Sequence, residues 1–221
     1  MNVCINRPEF GGVVARKTKE DAQATRESVL IAALDLFSEK GYSRTTFSDI
    51  AKRIGMTRGA VYWHFDNKPA LLAAMVDYFC NLREERVKQH FTEIQSLEEL
   101  RAAFLEHTRA VAEDKRLKKF EFFMAFQMEW SEELLTETHK ILDKIRKDPF
   151  EKLAAILRLP SISGQLRTDI DPRQLAVTLA GLWVGLCKIY LGACPKIDLV
   201  AAAADGFDCI MNGALKKEAG I

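Results

Sequence analysis

The side chains best suited to binding chemistry lie in one short stretch, MTRGAVYWHF at residues 56–65. Tyr62, Trp63 and His64 follow one another in this stretch, and successive residues on a helix point about 100° apart. The three rings therefore cannot all face one core, and at least one of them must point outward. A large ring that points outward from a short helix suggests contact with a partner molecule.

The residues ahead of these rings fit the major groove of double-stranded DNA. The first N–H groups of a helix are unpaired and carry a partial positive charge, which suits a phosphate. Gly59 and Ala60 leave little side-chain bulk there, so the backbone can approach another surface closely. Arg58 can read a guanine edge, while ring and hydroxyl groups contact sugar and phosphate. Half-buried packing of the tyrosine and the tryptophan is the alternative on composition alone.

Three short helices joined by tight turns would position this stretch, and they fit a helix-turn-helix. Capping-box patterns, TKED at 18–21 and TFSD at 46–49, are predicted to open the first two helices. Gly41 and Gly55 are natural stops for them. Thr57 is predicted to cap the third helix, which ends near residue 65.

Helical periodicity continues to the end of the chain, and no stretch shows the alternating pattern of a strand. The sequence therefore predicts an all-α fold of about nine helices. Six helices are predicted after the third. Asn67 opens the first of them and Ser96 caps the second, and the other four are segments 120–130, 131–159, 172–191 and 198–217. Segment 160–171 is predicted to be a loop.

Composition and charge are ordinary for a soluble globular protein, with 221 residues of which 48% are hydrophobic. Residues 44–68 contain five basic and two acidic side chains, a local excess that coincides with the ring cluster. The five cysteines form no CxxC pair and no signal-peptide pattern precedes them, so we expect a cytoplasmic protein with reduced thiols. The longest charge-free run, 174–187, has 14 residues, fewer than the roughly 20 that span a membrane. We expect a buried helix there and no membrane partner.

Residues 26 to about 75 strongly resemble the DNA-binding domain of the TetR/AcrR family of bacterial transcription regulators. The matching pattern, A.DLFSEKGY..TT..DIA...G.TRGA.YWHF.NK..L, is long and specific. ARKTKEDAQATR ahead of it and GQL at 164–166 are similar to the subgroup that represses multidrug efflux pumps. With the helix pattern, this resemblance implies an N-terminal extension without ordered structure at 1–17, a helix-turn-helix DNA-binding domain at 18–66, and a helical ligand-binding and dimerisation domain at 67–221.

The resemblance also implies that ten residues contact an operator. Among them, Arg58 is the one that we expect to contact guanine directly. The others are phosphate contacts at Thr46, Ser48 and Lys68, base-facing residues Thr57, Gly59 and Ala60, and residues that hold the DNA backbone on either side of the groove, Tyr62, Trp63 and His64.

Two apolar helices near the C-terminus are predicted to form a homodimer. The run LAVTLAGLWVGLCKIYLG is too apolar for a surface helix, and its Gly181-x-x-x-Gly185 spacing permits close helix approach. With the last helix, it fits the interface that the family forms from two helices of each subunit. Burial of both helices within one monomer is the alternative. A two-fold dimer would place two reading helices about 34–36 Å apart on a palindromic operator.

Aromatic side chains lie on two sides of the helix predicted at 120–130, which indicates burial between neighbouring helices. Ordinary core packing explains them, and so does an adaptable pocket for a hydrophobic or aromatic small-molecule inducer. In the family such a pocket lies among the fourth to eighth helices. The lining candidates are Phe104, His107, Phe120, Phe123, Phe126, Gln127, Trp183 and Cys187. A bound ligand is expected to shift the fourth helix, which continues into the DNA-binding domain.

Other functions remain open from the sequence. The four histidines have no metal-ligand spacing, and no phosphate loop or nucleophile elbow is present, so we expect no catalytic residue, metal or cofactor. A cytosolic all-α enzyme is nevertheless an alternative from another class. A regulator that senses oxidation through Cys187, Cys194 or Cys209 is a second, and a ligand-free architectural or activating DNA-binding protein is a third.

Overall fold

The computed structural model describes residues 14–89, 93–146, 148–192 and 196–216, and within these ranges the chain forms eleven α-helices and no β-strand. Leu166 and Leu215 form an isolated antiparallel bridge. The helices are α1 Val14–Lys40, α2 Phe47–Arg53, α3 Arg58–His64, α4 Lys68–Lys88, α5 Leu97–Glu113, α6 Lys115–Phe122, α7 Glu132–Ile145, α8 Pro149–Leu157, α9 Pro160–Ser163, α10 Pro172–Leu191 and α11 Leu199–Ala214. A π-helical turn, Phe123–Gln127, continues α6. The all-α prediction is confirmed.

The first three helices form the predicted helix-turn-helix, with one correction at its start. Gly41 and Gly55 have φ values of +90° and +69°, a conformation that glycine adopts without strain, and each follows the end of a helix. The predicted start at Thr18 is wrong, because α1 already begins at Val14. Good helix formers, Ala-Arg-Lys at 15–17, extend the helix upstream of the capping pattern. Residues 1–13 of the predicted extension lie outside the described residues.

A single apolar core joins the helix-turn-helix to the helices that follow it. Phe37, Ile50 and Val61 are fully buried at the centre of the first three helices. The same cluster continues through Phe79 of α4 and Phe123 after α6. The three-helix unit therefore has no separate core, and α4 and α6 pack directly against it.

The middle of the chain departs from the prediction in three places. The helix predicted at 120–130 starts earlier, at α6, and leaves helical geometry at Met128 after the π-helical turn. The long helix predicted at 131–159, with a bend near Pro149, is two helices, because Arg146 is extended and the residue before a proline avoids helical geometry. The predicted loop at 160–171 begins with the short helix α9.

The C-terminal helices α10 and α11 pack on α5 and α8 around a second apolar cluster that includes Leu157, Leu179 and Phe207. By length and composition alone α10 could cross a membrane, with a mean hydropathy of 1.5 over its most apolar window, but core helices of soluble proteins pass the same test. Only 33% of that window is buried. The prediction of a buried helix is thus correct for one face of α10, while Val184 and Ile189 are more than half exposed, at 56% and 52%.

Candidate DNA interface and ligand site

The third helix packs one face against the apolar core and exposes the other face to solvent. Val61 and Phe65 are 0% and 4% exposed and anchor this segment, as the sequence predicts. Trp63 is 74% exposed and Tyr62 is 44% exposed, so both rings point away from the core. His64 packs edge-on against the Trp63 ring, with 4.6 Å between the ring centroids. The exposed face of α3 is therefore built largely from rings.

Arg58 and Tyr62 form one exposed unit on this face. Arg58 Nη2 donates to Tyr62 Oη at 3.0 Å, and the guanidinium carbon lies 5.1 Å from the tyrosine ring centroid. The Tyr62 ring packs in turn against Phe47 of α2, with 4.8 Å between centroids. Among the described residues no carboxylate pairs with Arg58, whereas Arg53 is paired with Glu39. The Arg58 charge therefore remains available to an anionic partner.

Threonine side chains cap both helices of the motif. Thr46 Oγ1 accepts from the Asp49 N–H at 3.1 Å, and Asp49 Oδ2 accepts from the Thr46 N–H at 2.9 Å. The hydrogen bond from Lys40 and those from Thr46 lower the pKa of Asp49 to about 2. Thr57 Oγ1 accepts from the Ala60 N–H at 3.2 Å. Both threonines thus have a structural role, and their contact with DNA stays a prediction.

We expect Thr46→Ala to lower the free energy of unfolding by about 1 kcal/mol, because it removes the hydroxyl that caps α2. Urea denaturation followed by circular dichroism measures this loss. Ser48→Ala is the matched control, since Ser48 is exposed two residues later and its truncation should cost less than about 0.5 kcal/mol. Equal stabilities of the two variants would contradict the capping role.

Three further predicted DNA contacts differ in exposure. Ser48 and Gly59 are exposed, and a Cβ built on Gly59 would meet only one hydroxyl oxygen, 3.8 Å away. Lys68 is half-buried, and its Nζ donates to the carbonyls of Tyr42 at 3.1 Å and Ser43 at 3.0 Å. Burial lowers the pKa of Lys68. Lys68 therefore links the start of α4 to the turn between α1 and α2 through hydrogen bonds. Its contact with a phosphate of DNA stays a prediction.

A shallow groove of about 370 Å³ separates α3 from the first half of α1. Burial, and to a smaller extent the charge of Arg26, lower the pKa of His64 at one wall of this groove. The helix α1 thus borders the exposed face of α3, which the sequence did not predict. The lining residues are Asp21, Ala22, Thr25, Met56, Ala60, Trp63 and His64.

The structure divides the eight predicted ligand-lining residues among three places, the first of which is the shared core. Phe120 and Phe123 are 3% and 0% exposed. Phe120 stacks on Phe79 of α4, with 4.8 Å between centroids, and Phe123 stacks on Phe37 of α1, with 5.8 Å. These two rings join α6 and the π-helical turn after it to α4 and α1.

The second place is the π-helical turn at the end of α6. Phe126 is 43% exposed, and its ring lies beside Gly192, where an added Cβ would come within 3.2 Å of it. Gln127 Nε2 donates to the backbone carbonyl of Ser38 in α1 at 3.2 Å. This turn therefore forms another link between α6 and α1.

The remaining four candidates come together where α5 and α10 meet. The rings of His107 and Trp183 are 4.9 Å apart between centroids. Trp183 and Cys187 are buried, and Phe104 packs against the same apolar cluster. We define the Trp183 cluster as these four residues together with Arg83 and Glu121.

Arg83 of α4 and Glu121 of α6 place a buried ion pair in this cluster. Arg83 Nη1 donates to Glu121 Oε1, and the two side chains are only 11% and 16% exposed. The guanidinium carbon lies 4.6 Å from the ring centroid of Trp183. Burial raises the pKa of Glu121, although Arg83 opposes this shift. Burial, with the Arg83 charge, holds the pKa of His107 well below its ordinary value.

The buried position of Arg83 was not predicted from the sequence, although one signal was present. Arg83 follows Phe79 by four residues and so continues the buried stripe of α4 that Met75 and Phe79 define. A charged residue on a buried helical stripe needs a partner. Arg83 belongs to a run of charged residues, REER at 83–86. Such a run is typical of a solvated helix face, so the sequence did not indicate that Arg83 is buried.

Two of the three cysteines that the structure describes are wholly or partly buried away from reactants. Burial raises the pKa of Cys187 to about 12 and also raises the pKa of Cys80. Such thiols are poor nucleophiles. Cys209 is exposed on α11, and Cys4 and Cys194 lie outside the described residues. No group of three or more metal-ligating side chains occurs in the described ranges.

Comparison with known proteins identifies relatives of both halves of the chain. The family model for bacterial regulatory proteins of the tetR family matches residues 29–75, from α1 into α4. The HTH-type transcriptional regulator AcrR of Shigella flexneri is 31% identical over 210 residues, which cover 87% of this chain and 90% of AcrR. The similarity therefore extends well beyond the DNA-binding motif.

Solved structures share the same overall fold. NalD, the secondary repressor of the MexAB-OprM multidrug efflux pump in Pseudomonas aeruginosa, is 25% identical with a TM-score of 0.73, over 89% of this chain and all of NalD. SmeT, the repressor of the Stenotrophomonas maltophilia efflux pump SmeDEF, has been solved with triclosan. That complex is 30% identical with a TM-score of 0.72, over 90% of this chain and 95% of SmeT.

Proposed function

The chain belongs to the TetR family of bacterial transcription regulators, and we propose that it is a homodimeric repressor that a hydrophobic small molecule releases from a palindromic operator. We further propose a multidrug efflux pump as the regulated target, because NalD and SmeT repress such pumps. The relatives are transcription regulators and not enzymes, which favours this function over catalysis.

The observation that carries the proposal is the outward face of α3. A seven-residue helix that is anchored by a fully buried Val61 displays Arg58, Tyr62 and Trp63 to solvent. Tyr62 and Trp63 are adjacent exposed rings, and a contiguous exposed apolar patch with a polar rim marks an interaction site. In a helix-turn-helix the same rings and the guanidinium would contact bases and phosphates when α3 enters the major groove.

The exposed faces of α10 and α11 support a two-fold dimer. Val177 and Val184 are exposed on α10 at 36% and 56%, and a Cβ built on Gly181 or Gly185 beside them would meet nothing within 4 Å. Such a face lets a helix from a second copy approach closely. On α11, Gly213 is exposed, and a Cβ built on it would likewise meet nothing within 4 Å. A symmetric contact here would pair two copies of α3 with two half-sites.

Val184→Asp tests this interface. Two-fold symmetry brings both copies of a central residue into the contact, so the variant buries two unpaired carboxylates. We expect the dissociation constant of the dimer to rise by about a hundredfold or more, measured by sedimentation velocity across a dilution series. Leu135→Asp is the control, because Leu135 is exposed on α7, outside the proposed interface. A Val184→Asp variant that stays dimeric would place the interface elsewhere.

Contacts between α6 and α1 support a route from ligand to DNA. Glu121, in the Trp183 cluster, directly follows Phe120 on α6. The same helix contacts α1 through an ion pair between Lys119 and Asp35, and the π-helical turn that continues it does so through the Phe123–Phe37 stack. A ligand that displaces α6 would therefore move α1 as well as α4, and with them the position of α3.

Operator titration tests the proposed function directly. Fluorescence anisotropy with DNA from upstream of the gene itself, measured with and without triclosan as the probe, compares the two affinities. Coupling between two sites is reciprocal and typically about 5- to 150-fold. We therefore expect the operator affinity to decrease by a factor of about 5 to 150 when the probe is bound. Equal affinities with and without every hydrophobic compound that binds would contradict ligand-induced release.

A further inference from the structure

We propose that the inducer carries a hydroxyl group on an aromatic ring, and that Trp183, Arg83 and Glu121 bind this hydroxyl. The inference rests on the proposed function, because it takes the Trp183 cluster as the inducer site, and it adds the chemical class of the ligand.

The cluster holds two buried hydrogen-bond donors without acceptors. Trp183 is 8% exposed, and its Nε1–H has no hydrogen-bond partner among the described residues. Arg83 Nε, on a side chain that is 11% exposed, has none either. The two donors belong to side chains that contact each other, because the guanidinium carbon of Arg83 lies 4.6 Å from the indole centroid of Trp183. Buried donors are nearly always paired, so this place favours a ligand that brings an acceptor oxygen.

The same contact also offers an acceptor. An ionised carboxylate has only acceptor sites and can accept several hydrogen bonds, and Glu121 uses one oxygen to pair with Arg83. A hydroxyl group can pair with the donors and with the acceptor. Its oxygen accepts from the N–H groups of Trp183 and Arg83, and its O–H donates to Glu121. A ligand carboxylate would place a second negative charge beside Glu121, and a ligand cation would face Arg83. An ether oxygen could accept but could not donate.

Rings on the neighbouring helices explain the preference for an aromatic scaffold. His107 lies 4.9 Å from Trp183 between centroids, and Phe104 packs against the same cluster and against Phe207, at 5.2 Å. Aromatic groups pack favourably edge-to-face or offset against such rings. Burial keeps His107 neutral by lowering its pKa, so it adds no competing charge to the site.

Nuclear magnetic resonance of the indole N–H groups tests the proposal on the full chain. The chain has three tryptophans, so an indole-labelled sample gives three side-chain N–H resonances, which Trp→Phe variants assign. Trp63 and Trp130 are exposed and serve as internal controls. We expect 2-naphthol to move the Trp183 proton downfield, as a new hydrogen bond does, and naphthalene to produce no such downfield shift.

Affinity provides the second readout. We expect 2-naphthol to bind about tenfold more tightly than naphthalene, with 2-methoxynaphthalene between them, because hydrogen bonds to charged groups are the stronger ones. Trp183→Phe keeps a ring but removes the N–H, so it should reduce the preference for naphthol, while Trp130→Phe should leave it unchanged. Equal binding of the three compounds, or a preference for 2-naphthol that is undiminished in Trp183→Phe, would overturn the inference while leaving ligand-induced release intact. Failure of every hydrophobic compound to bind would instead overturn the proposed function, and the inference with it.

Discussion

Arg58→Ala should weaken operator binding more than any other single change on the DNA-facing surface. A bidentate contact between arginine and guanine is worth about 1–3 kcal/mol of discrimination, and a dimer makes it twice. The expected loss is therefore about 2–6 kcal/mol, or roughly 30-fold to 10⁴-fold in affinity. Fluorescence anisotropy at fixed ionic strength measures it. The fold should survive, because Arg58 is exposed and Tyr62, its one hydrogen-bond partner within the described ranges, is exposed as well.

A control for charge separates base reading from general attraction to DNA. Arg158→Ala removes the same charge directly after the end of α8, where Arg158 pairs with Glu151, and should leave operator affinity nearly unchanged. A base contact also predicts that the preference of Arg58→Ala for operator over scrambled DNA collapses, whereas loss of a phosphate contact weakens both alike and reduces the salt dependence. If the two variants titrate alike, α3 does not read the operator through Arg58.

Features set by a few neighbouring residues could be predicted from the sequence. Thr46, Thr57, Asn67 and Ser96 each cap the helix predicted for them, because a capping side chain bonds the backbone only two or three residues away. The inward positions of Val61 and Phe65 follow from their spacing of four residues. The outward direction of Trp63 then follows from helix geometry alone. The outward side of α3 was therefore predictable without any knowledge of tertiary contacts.

Features set by distant contacts were not predictable in the same way. The rings of the aromatic segment are alike in sequence, yet Phe123 stacks on Phe37 while Phe126 is 43% exposed. Periodicity reports that a helix has two apolar sides but not which helix each side meets. The pairing of Arg83 with Glu121 joins residues 38 positions apart, and no local pattern specifies such a pair. Four of the eight candidate ligand residues thus came together as one region, and the buried ion pair beside them was found only in the structure.

The buried ion pair itself leads to the largest expected effect on stability. Glu121→Leu would leave the Arg83 guanidinium buried without its counter-charge. Removing one partner of a buried pair typically lowers the free energy of unfolding by about 3–5 kcal/mol. Thermal or urea unfolding measures this loss. The control is Asp208→Leu, because Asp208 pairs with Arg101 at 2.6 Å on side chains that are 44% and 40% exposed, where a pair is worth at most about 1 kcal/mol.

Replacing both partners distinguishes a pair kept for stability from one kept for function. A buried pair recovers its desolvation cost poorly, so Arg83→Met with Glu121→Leu should restore stability to within about 1–2 kcal/mol of the original chain, or exceed it. Burial raises the pKa of Glu121 despite the adjacent guanidinium, which agrees with a pair that is not optimised for stability. If the double variant is as unstable as Glu121→Leu alone, the pair is needed to hold α4 and α6 together. If it is stable, repression without a ligand should persist while the response to 2-naphthol is lost, because the charges then serve the ligand and not the fold.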